Sequence, residues 1–90
     1  MFKIIETKTY SKKVRKFLKK HPNIFNKYEK TIFILEQNPY HPSLRLHKLK
    51  GGLKEYFSVS IDLEYRIILD FIVIDKEIYL IDIGSHDEVY

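Results

Sequence analysis

Three residues in the C-terminal half are of types that together can handle a phosphate ester. His86 follows Gly84 and Ser85, Tyr90 lies four residues further on, and Arg66 lies in an apolar stretch before them. A histidine can carry a proton near neutral pH, and a guanidinium forms paired hydrogen bonds with phosphate oxygens. An aromatic ring can stack on a base. We therefore interpret the end of the chain as part of a small site at the end of a strand.

A second histidine lies in a basic stretch. His47 has Arg45, Lys48 and Lys50 as near neighbours along the chain. Nearby cations favour the neutral form of an imidazole, which is the form that a general base needs. His47 is therefore a second candidate for proton transfer.

These residues also have purely structural interpretations. Arg66 would pair with Asp70 or Asp82, His86 would be a solvated side chain, and His47 would be a surface residue of a basic loop. A metal site could be built only from a few scattered ligands, namely His41, His47, His86 and Asp87. Their spacing along the chain matches no strong metal-binding signature. There is also no glycine-rich phosphate loop, so we expect neither a metal nor a cofactor.

Composition limits the class of protein. Ninety residues without cysteine predict one domain, 1–90, without disulfides, and a cytoplasmic location is the default. Early charges argue against a signal peptide, and no apolar run is long enough for a membrane span. Residues 1–50 carry a net charge of +10 and residues 51–90 a net charge of −6. The basic half points to a polyanion or an acidic protein as partner, although a solvated helix face explains it equally well.

Hydrophobic periodicity predicts the elements that position these residues. Residues 2–7 alternate as a short strand, and apolar stripes predict helices over residues 8–20 and 23–37. Residues 38–53 form an irregular segment, after which alternation with period two predicts three more strands. The fold class is therefore α+β. A two-helix hairpin packs on one face of a four-stranded, mainly antiparallel sheet, in the order β-α-α-β-β-β.

One turn fixes the register of this sheet. A three-residue loop at 62–64 places Ile61 opposite Tyr65 and Ser60 opposite Arg66. Arg66 then lies on the face away from the helices, which is the sheet surface with polar side chains to spare.

The element order and three sequence phrases resemble one family of proteins. The phrases are LHKLKG at 46–51, EYRII at 64–68 and GSHDEVY at 84–90. They are similar to the RelE/ParE superfamily of toxins of type II toxin–antitoxin systems, in particular to its YafQ-like branch. The resemblance covers nearly the whole chain, and the C-terminal phrase is its most specific part.

The resemblance implies a ribosome-dependent, metal-free mRNA endonuclease that inhibits translation and is neutralised by a cognate antitoxin. His47 and His86 match the loop and C-terminal histidines of the YafQ-like branch. Arg66 matches a strand arginine of the RelE branch, and Tyr90 matches the C-terminal aromatic residue. The basic residues beside His47 are then expected to bind RNA phosphates: Arg45, Lys48 and Lys50.

Two other functions are open at this stage. A ParE-like toxin has the same fold and acts on a protein target such as DNA gyrase. An inactive relative would bind only its antitoxin. The two histidines favour the nuclease among these three.

Overall fold

The computed structural model describes residues 1–49, 56–72 and 75–89. Two short 3-10 helices, Pro22–Ile24 and Pro42–Leu44, accompany the main elements. In chain order the main elements are β1 (Lys3–Glu6), α1 (Lys8–Lys20), α2 (Phe25–Gln37), β2 (His47–Lys48), β3 (Phe57–Ser60), β4 (Tyr65–Ile72), β5 (Glu77–Ser85) and α3 (His86–Val89).

Helix α1 has the predicted bounds and the predicted stripe. Tyr10, Val14 and Phe17 are buried, while its lysines are exposed. Thr7, rather than Thr9 or Ser11, is the N-cap, and its hydroxyl accepts a hydrogen bond from the Tyr10 N–H at 3.2 Å.

Helix α2 follows the 3-10 helix Pro22–Ile24, so the predicted start at residue 23 falls within that turn. Tyr28 and Leu35 are buried as predicted. Phe25 and Phe33 are apolar residues beside this stripe, but 46% and 62% of their surfaces are exposed. The core is filled by the narrower stripe, and the two phenyl rings lie at the surface.

The sheet has five strands in the order β1-β5-β4-β3-β2. Strand β1 is parallel to β5, and the other pairs are antiparallel. The additional strand is β2, which lies in the segment predicted to be irregular. Because β2 has only two residues, it is too short to show an alternating hydrophobic pattern, and the sequence did not predict it as a strand.

The predicted register of β3 and β4 is confirmed. Ser60 lies opposite Arg66, and the Ile61 N–H donates to the Tyr65 carbonyl at 2.9 Å. The Asp62 carboxylate fixes the turn by accepting hydrogen bonds from the N–H groups of Glu64 and Tyr65, both at 2.9 Å.

Strand β5 contains an irregularity that sequence alternation could not show. The register passes from Ile68 opposite Asp82 to Leu69 opposite Leu80, so Ile81 has no partner in β4. Before this bulge the even-numbered residues of β5 face the core, and after it the odd-numbered residues do. Leu80 and Ile83 can therefore both be buried in one core.

The core lies between the helices and one face of the sheet. Val59 of β3 is completely buried there, and Phe57 and Ile61 are partly buried against it. The prediction that this strand face packs on the helices is therefore confirmed. No helix among the described residues is both long and apolar enough to cross a membrane.

Candidate active site

Strand pairing brings three polar side chains together on the sheet face that lies away from the helices. His47 in β2 is opposite Ser58 in β3, and Ser60 is opposite Arg66 in β4. Opposite residues share a face, as do residues two apart in one strand. His47, Ser58 and Arg66 therefore belong to one patch, which we call the arginine–histidine cluster.

The cluster is held by hydrogen bonds of the Arg66 guanidinium. Its Nε donates to the Ser58 Oγ at 3.0 Å, and its Nη2 donates to the Arg45 carbonyl at 3.1 Å. The same Nη2 is 3.2 Å from the His47 Nδ1. The His47 Nε2 is 3.4 Å from the Ser58 Oγ. Ser58 is completely buried, whereas the His47 side chain is exposed. The buried hydroxyl thus fixes two groups that are accessible from solvent.

The contact between Arg66 and His47 determines the state of the imidazole ring. A guanidinium can only donate, so the His47 Nδ1 must present its lone pair. The neutral ring then carries its hydrogen on Nε2, from which it donates to Ser58. The Arg45 carbonyl lies 3.4 Å from the same Nδ1. The cluster therefore places hydrogen-bonding groups beside both nitrogens of the His47 ring.

The Arg45 main chain was not anticipated as part of this site. Arg45 follows the 3-10 helix Pro42–Leu44 and has left-handed dihedral angles, φ 49° and ψ 47°. Non-glycine residues adopt this conformation at a cost of roughly 1 kcal/mol or more. Here it turns the chain between the 3-10 helix and β2 and presents the Arg45 carbonyl to the cluster. A left-handed arginine has no sequence signature.

Ser58 was placed on the polar face but was not assigned a role. Its position opposite His47 depends on β2, which the sequence did not predict. Of the two carboxylates considered as structural partners of Arg66, Asp82 pairs with Lys13 of α1, at 2.6 Å.

His86 lies at the same end of the sheet as Arg66. It is the first residue of α3, and its N–H donates to the Glu64 carbonyl at 3.2 Å. Gly84, two residues earlier, is opposite Arg66. The His86 side chain is 63% exposed, and its Nδ1 is 3.8 Å from the Asp87 carboxylate. This histidine is therefore presented by the start of a one-turn helix and is open to solvent.

The remaining predicted site residues divide into two groups. Arg45 and Lys48 are exposed beside the cluster. Lys50 and Tyr90 lie outside the described residues, so their predicted roles stay predictions. The two other histidines have structural partners. The His41 Nδ1 accepts a hydrogen bond from the Ser43 N–H, and His21 is at the C-cap of α1, with its Nδ1 3.3 Å from the Tyr65 hydroxyl. Within residues 1–49, 56–72 and 75–89, no three histidine or carboxylate side chains are grouped so that they could hold a metal ion.

Comparison with known proteins establishes the family. Residues 2–90 match the family model described as the bacterial toxin of type II toxin–antitoxin system, YafQ. The chain belongs to the YafQ family of toxins. This confirms the resemblance to the YafQ-like branch of the RelE/ParE superfamily. A search of curated proteins gives no match.

Solved structures show the same fold. A metal-bound toxin from Helicobacter pylori is 25% identical, with 100% of both chains covered and a TM-score of 0.79. YafQ in the DinJ–YafQ complex of E. coli is 21% identical, with 100% of this chain and 99% of that chain covered and a TM-score of 0.78. The YoeB–YefM complex from Staphylococcus aureus gives 18% identity, coverage of 96% and 98%, and a TM-score of 0.72. The α+β fold of two helices on a sheet is therefore that of this group of toxins.

Proposed function

We propose that this YafQ-family toxin is an mRNA endonuclease that acts on the ribosome without a metal ion. The observation that supports this most directly is the arginine–histidine cluster. It holds a guanidinium and an imidazole nitrogen 3.2 Å apart on an accessible face. A cationic clamp beside a proton acceptor is what cleavage by a neighbouring hydroxyl requires.

The proposed reaction begins with the 2′-hydroxyl of the RNA. His47 accepts its proton as the oxygen attacks the adjacent phosphorus. Arg66 stabilises the negative charge that develops on the phosphorane oxygens. The bond from phosphorus to the 5′-oxygen breaks, and protonated His86 donates its proton to that leaving oxygen. The products are a 2′,3′-cyclic phosphate and a 5′-hydroxyl.

Other residues would bind the RNA rather than react with it. Tyr90 would stack on a base or position the phosphate, and Arg45, Lys48 and Lys50 would bind neighbouring phosphates. Helix α1, on the other side of the sheet, carries a second group of exposed cations that includes Lys8, Lys12 and Lys16. A cognate antitoxin would cover basic surface of this chain, as YafQ is complexed with DinJ in E. coli.

The decisive experiment compares His86→Ala with wild type in cells and on purified ribosomes. Growth arrest is scored, and mRNA 5′ ends are mapped with and without a kinase, because only 5′-hydroxyl ends need phosphorylation before ligation. We expect the variant to lose about 10²–10⁴ in cleavage rate while its antitoxin affinity stays unchanged. His41→Ala is the matched control, since His41 is exposed and bonded only locally.

The same assay distinguishes the two alternatives. Growth arrest without new mRNA ends, accompanied by inhibition of supercoiling, would support a ParE-like action on gyrase. A wild-type protein that binds its antitoxin but causes neither effect would be an inactive relative. Equal cleavage by His86→Ala and wild type would remove His86 from the mechanism.

A further inference from the structure

An open groove lies between α2 and the edge strand β1, and the proposed nuclease site does not use it. Its volume is about 360 Å³. The candidate site lies on β2, β3 and β4, whereas β1 is at the opposite edge of the five-stranded sheet. The groove is therefore a separate surface of the molecule.

The apolar part of the groove is unusually exposed. Phe25 and Phe33 of α2 line it and are 46% and 62% exposed, and Ile32 of α2 and Ile4 of β1 line it as well. Two phenyl rings on one helix face, with aliphatic side chains beside them, offer apolar surface that the core of this chain does not bury.

The charges that line the groove are opposite in sign to the net charge of residues 1–50. Residues 1–50 contain 13 basic and only three acidic residues. All three acidic residues, Glu6, Glu29 and Glu36, line this groove. No lysine, arginine or histidine is among the residues that line it. The lysines of α2 on the other side, Lys27 and Lys30, line a different pocket. Helix α2 thus separates an acidic, apolar side from a basic side.

Strand β1 adds backbone groups to this surface. It pairs with β5 on one side, and among the described strands none lies on its other side. The Phe2 N–H donates to the Glu36 carbonyl at 2.9 Å, so the C-terminal end of α2 lies against the first part of this edge. An edge strand beside an apolar groove is a site at which an extended segment can dock.

We propose that the groove binds a segment of a protein partner in which apolar side chains are flanked by lysine or arginine. The three carboxylates disfavour RNA, whose phosphates they would repel. A second copy of this chain fits less well. Its most basic element is α1, and the apolar residues of α1, Tyr10, Val14 and Phe17, are already buried. The exposed phenyl rings require a partner that contributes apolar side chains together with cations.

Two synthetic peptides test this proposal against the full-length protein. One is a ten-residue peptide of alternating leucine and lysine, and the other has glutamate in place of lysine. Chemical-shift changes in the labelled toxin report where each one binds. We expect the lysine peptide to bind at least about tenfold more tightly than the glutamate peptide, with shift changes centred on Phe25 and Phe33.

Substitutions separate the apolar from the electrostatic contribution. Phe33→Ser should weaken binding of the lysine peptide by roughly tenfold, because it removes a large apolar contact. Glu29→Lys should reverse the preference between the peptides. Asp75→Lys is the matched control, since Asp75 is an exposed acid outside the groove. Both substituted groove residues are exposed, so the variants are expected to fold.

Three results would overturn the proposal. The first is equal binding of the two peptides. The second is a set of shift changes centred on α1 or on the nuclease site. The third is self-association of the toxin that sedimentation detects and Phe33→Ser abolishes, because the occupant would then be a second copy. The variants keep Arg66 and His47, so failure of RNA cleavage would not affect the outcome.

Discussion

Two hydrogen-bonded clusters lie on opposite sides of the sheet and differ in nearly every property. The arginine–histidine cluster combines a guanidinium with a solvent-exposed imidazole over the buried Ser58. On the helix side, the Tyr10 and Tyr28 hydroxyls are 2.6 Å apart and join α1 to α2. Tyr10 is fully buried and Tyr28 is 8% exposed. The first cluster is charged and open, and the second is neutral and closed.

This difference indicates what each cluster can do. The donors of Arg66 are accessible, so a phosphate can replace the Arg45 carbonyl or the His47 ring as their acceptor. The hydroxyls of the tyrosine pair are not available in this way, since they are bonded to each other inside the core. Burial is the main cause that raises the pKa of both hydroxyls, to about 12 for Tyr28 and further for Tyr10. We therefore expect the first cluster to govern activity and the second to govern stability.

Arg66→Ala should produce the largest effect and tests the first half of this comparison. We expect cleavage to fall by about 10²–10³, as for the loss of one group that stabilises a transition state. The free energy of unfolding should fall by only about 1 kcal/mol, because the bonds that are lost are at most partly buried. Arg66→Lys should recover only part of the rate, since a single ammonium cannot reproduce the guanidinium fork. Rates on ribosomes and urea unfolding measure the two quantities, with Lys3→Ala as an exposed control.

Ser58→Ala tests whether the buried hydroxyl positions the other two groups. Its Oγ accepts from Arg66 and lies near His47, so its loss frees both side chains to reorient. We expect the cleavage rate to fall by roughly tenfold, in kcat rather than in KM. Ser60→Ala is the matched control. Ser60 lies on the same face, but its hydroxyl donates to the Asp62 carbonyl, at 2.6 Å. An equal loss in both variants would mean that Ser58 acts through folding alone.

The sequence predicted one part of the arginine–histidine cluster and not the other. Arg66 and Ser60 were placed correctly because the turn at 62–64 leaves one register that keeps the apolar residues on one face. His47 was identified as a candidate base, but its contact with Arg66 was not. That contact requires β2, a two-residue strand, and the left-handed Arg45, and neither leaves a periodic signal. The roles of His86, His47 and Tyr90 stay predictions for the same site.

The helix side was predicted more completely, since helical stripes follow directly from spacing. Tyr10 and Tyr28 were both placed on buried faces. Their hydrogen bond was not predicted, because it depends on how far each helix is displaced along the other. The exposed Phe25 and Phe33 show where prediction from helical spacing fails. Periodicity identifies apolar residues on a helix but does not show how wide a stripe the core will cover.

Tyr10→Phe tests the second half of the comparison. It removes one buried hydrogen bond without changing the shape of the ring, so the free energy of unfolding should fall by about 1 kcal/mol. Cleavage on ribosomes should stay at the wild-type rate. Urea unfolding measures the first quantity, and Tyr40→Phe, at an exposed tyrosine, is the control. A loss of activity that exceeds the loss of folded protein would show that the two clusters are coupled through the sheet.

The smallest expected effect is on the dependence of stability on pH. Each tyrosine of the buried pair has a higher pKa in the folded protein than the ordinary value of 10.0. The folded state therefore keeps its protons at a pH at which the unfolded state loses them. The corresponding stability is fully present below pH 10 and is lost as the pH rises from about 10 towards 12. At pH 10 the loss should be on the order of a few tenths of a kcal/mol for each tyrosine.

Unfolding in urea at pH 8.5, 9.5 and 10.5 would measure this loss. The double variant Tyr10→Phe/Tyr28→Phe should show a shallower decline in stability with pH than wild type. Parallel curves for the two proteins would mean that the pair titrates like exposed tyrosines, and that the helix-side cluster is open to solvent in the same way as the arginine–histidine cluster.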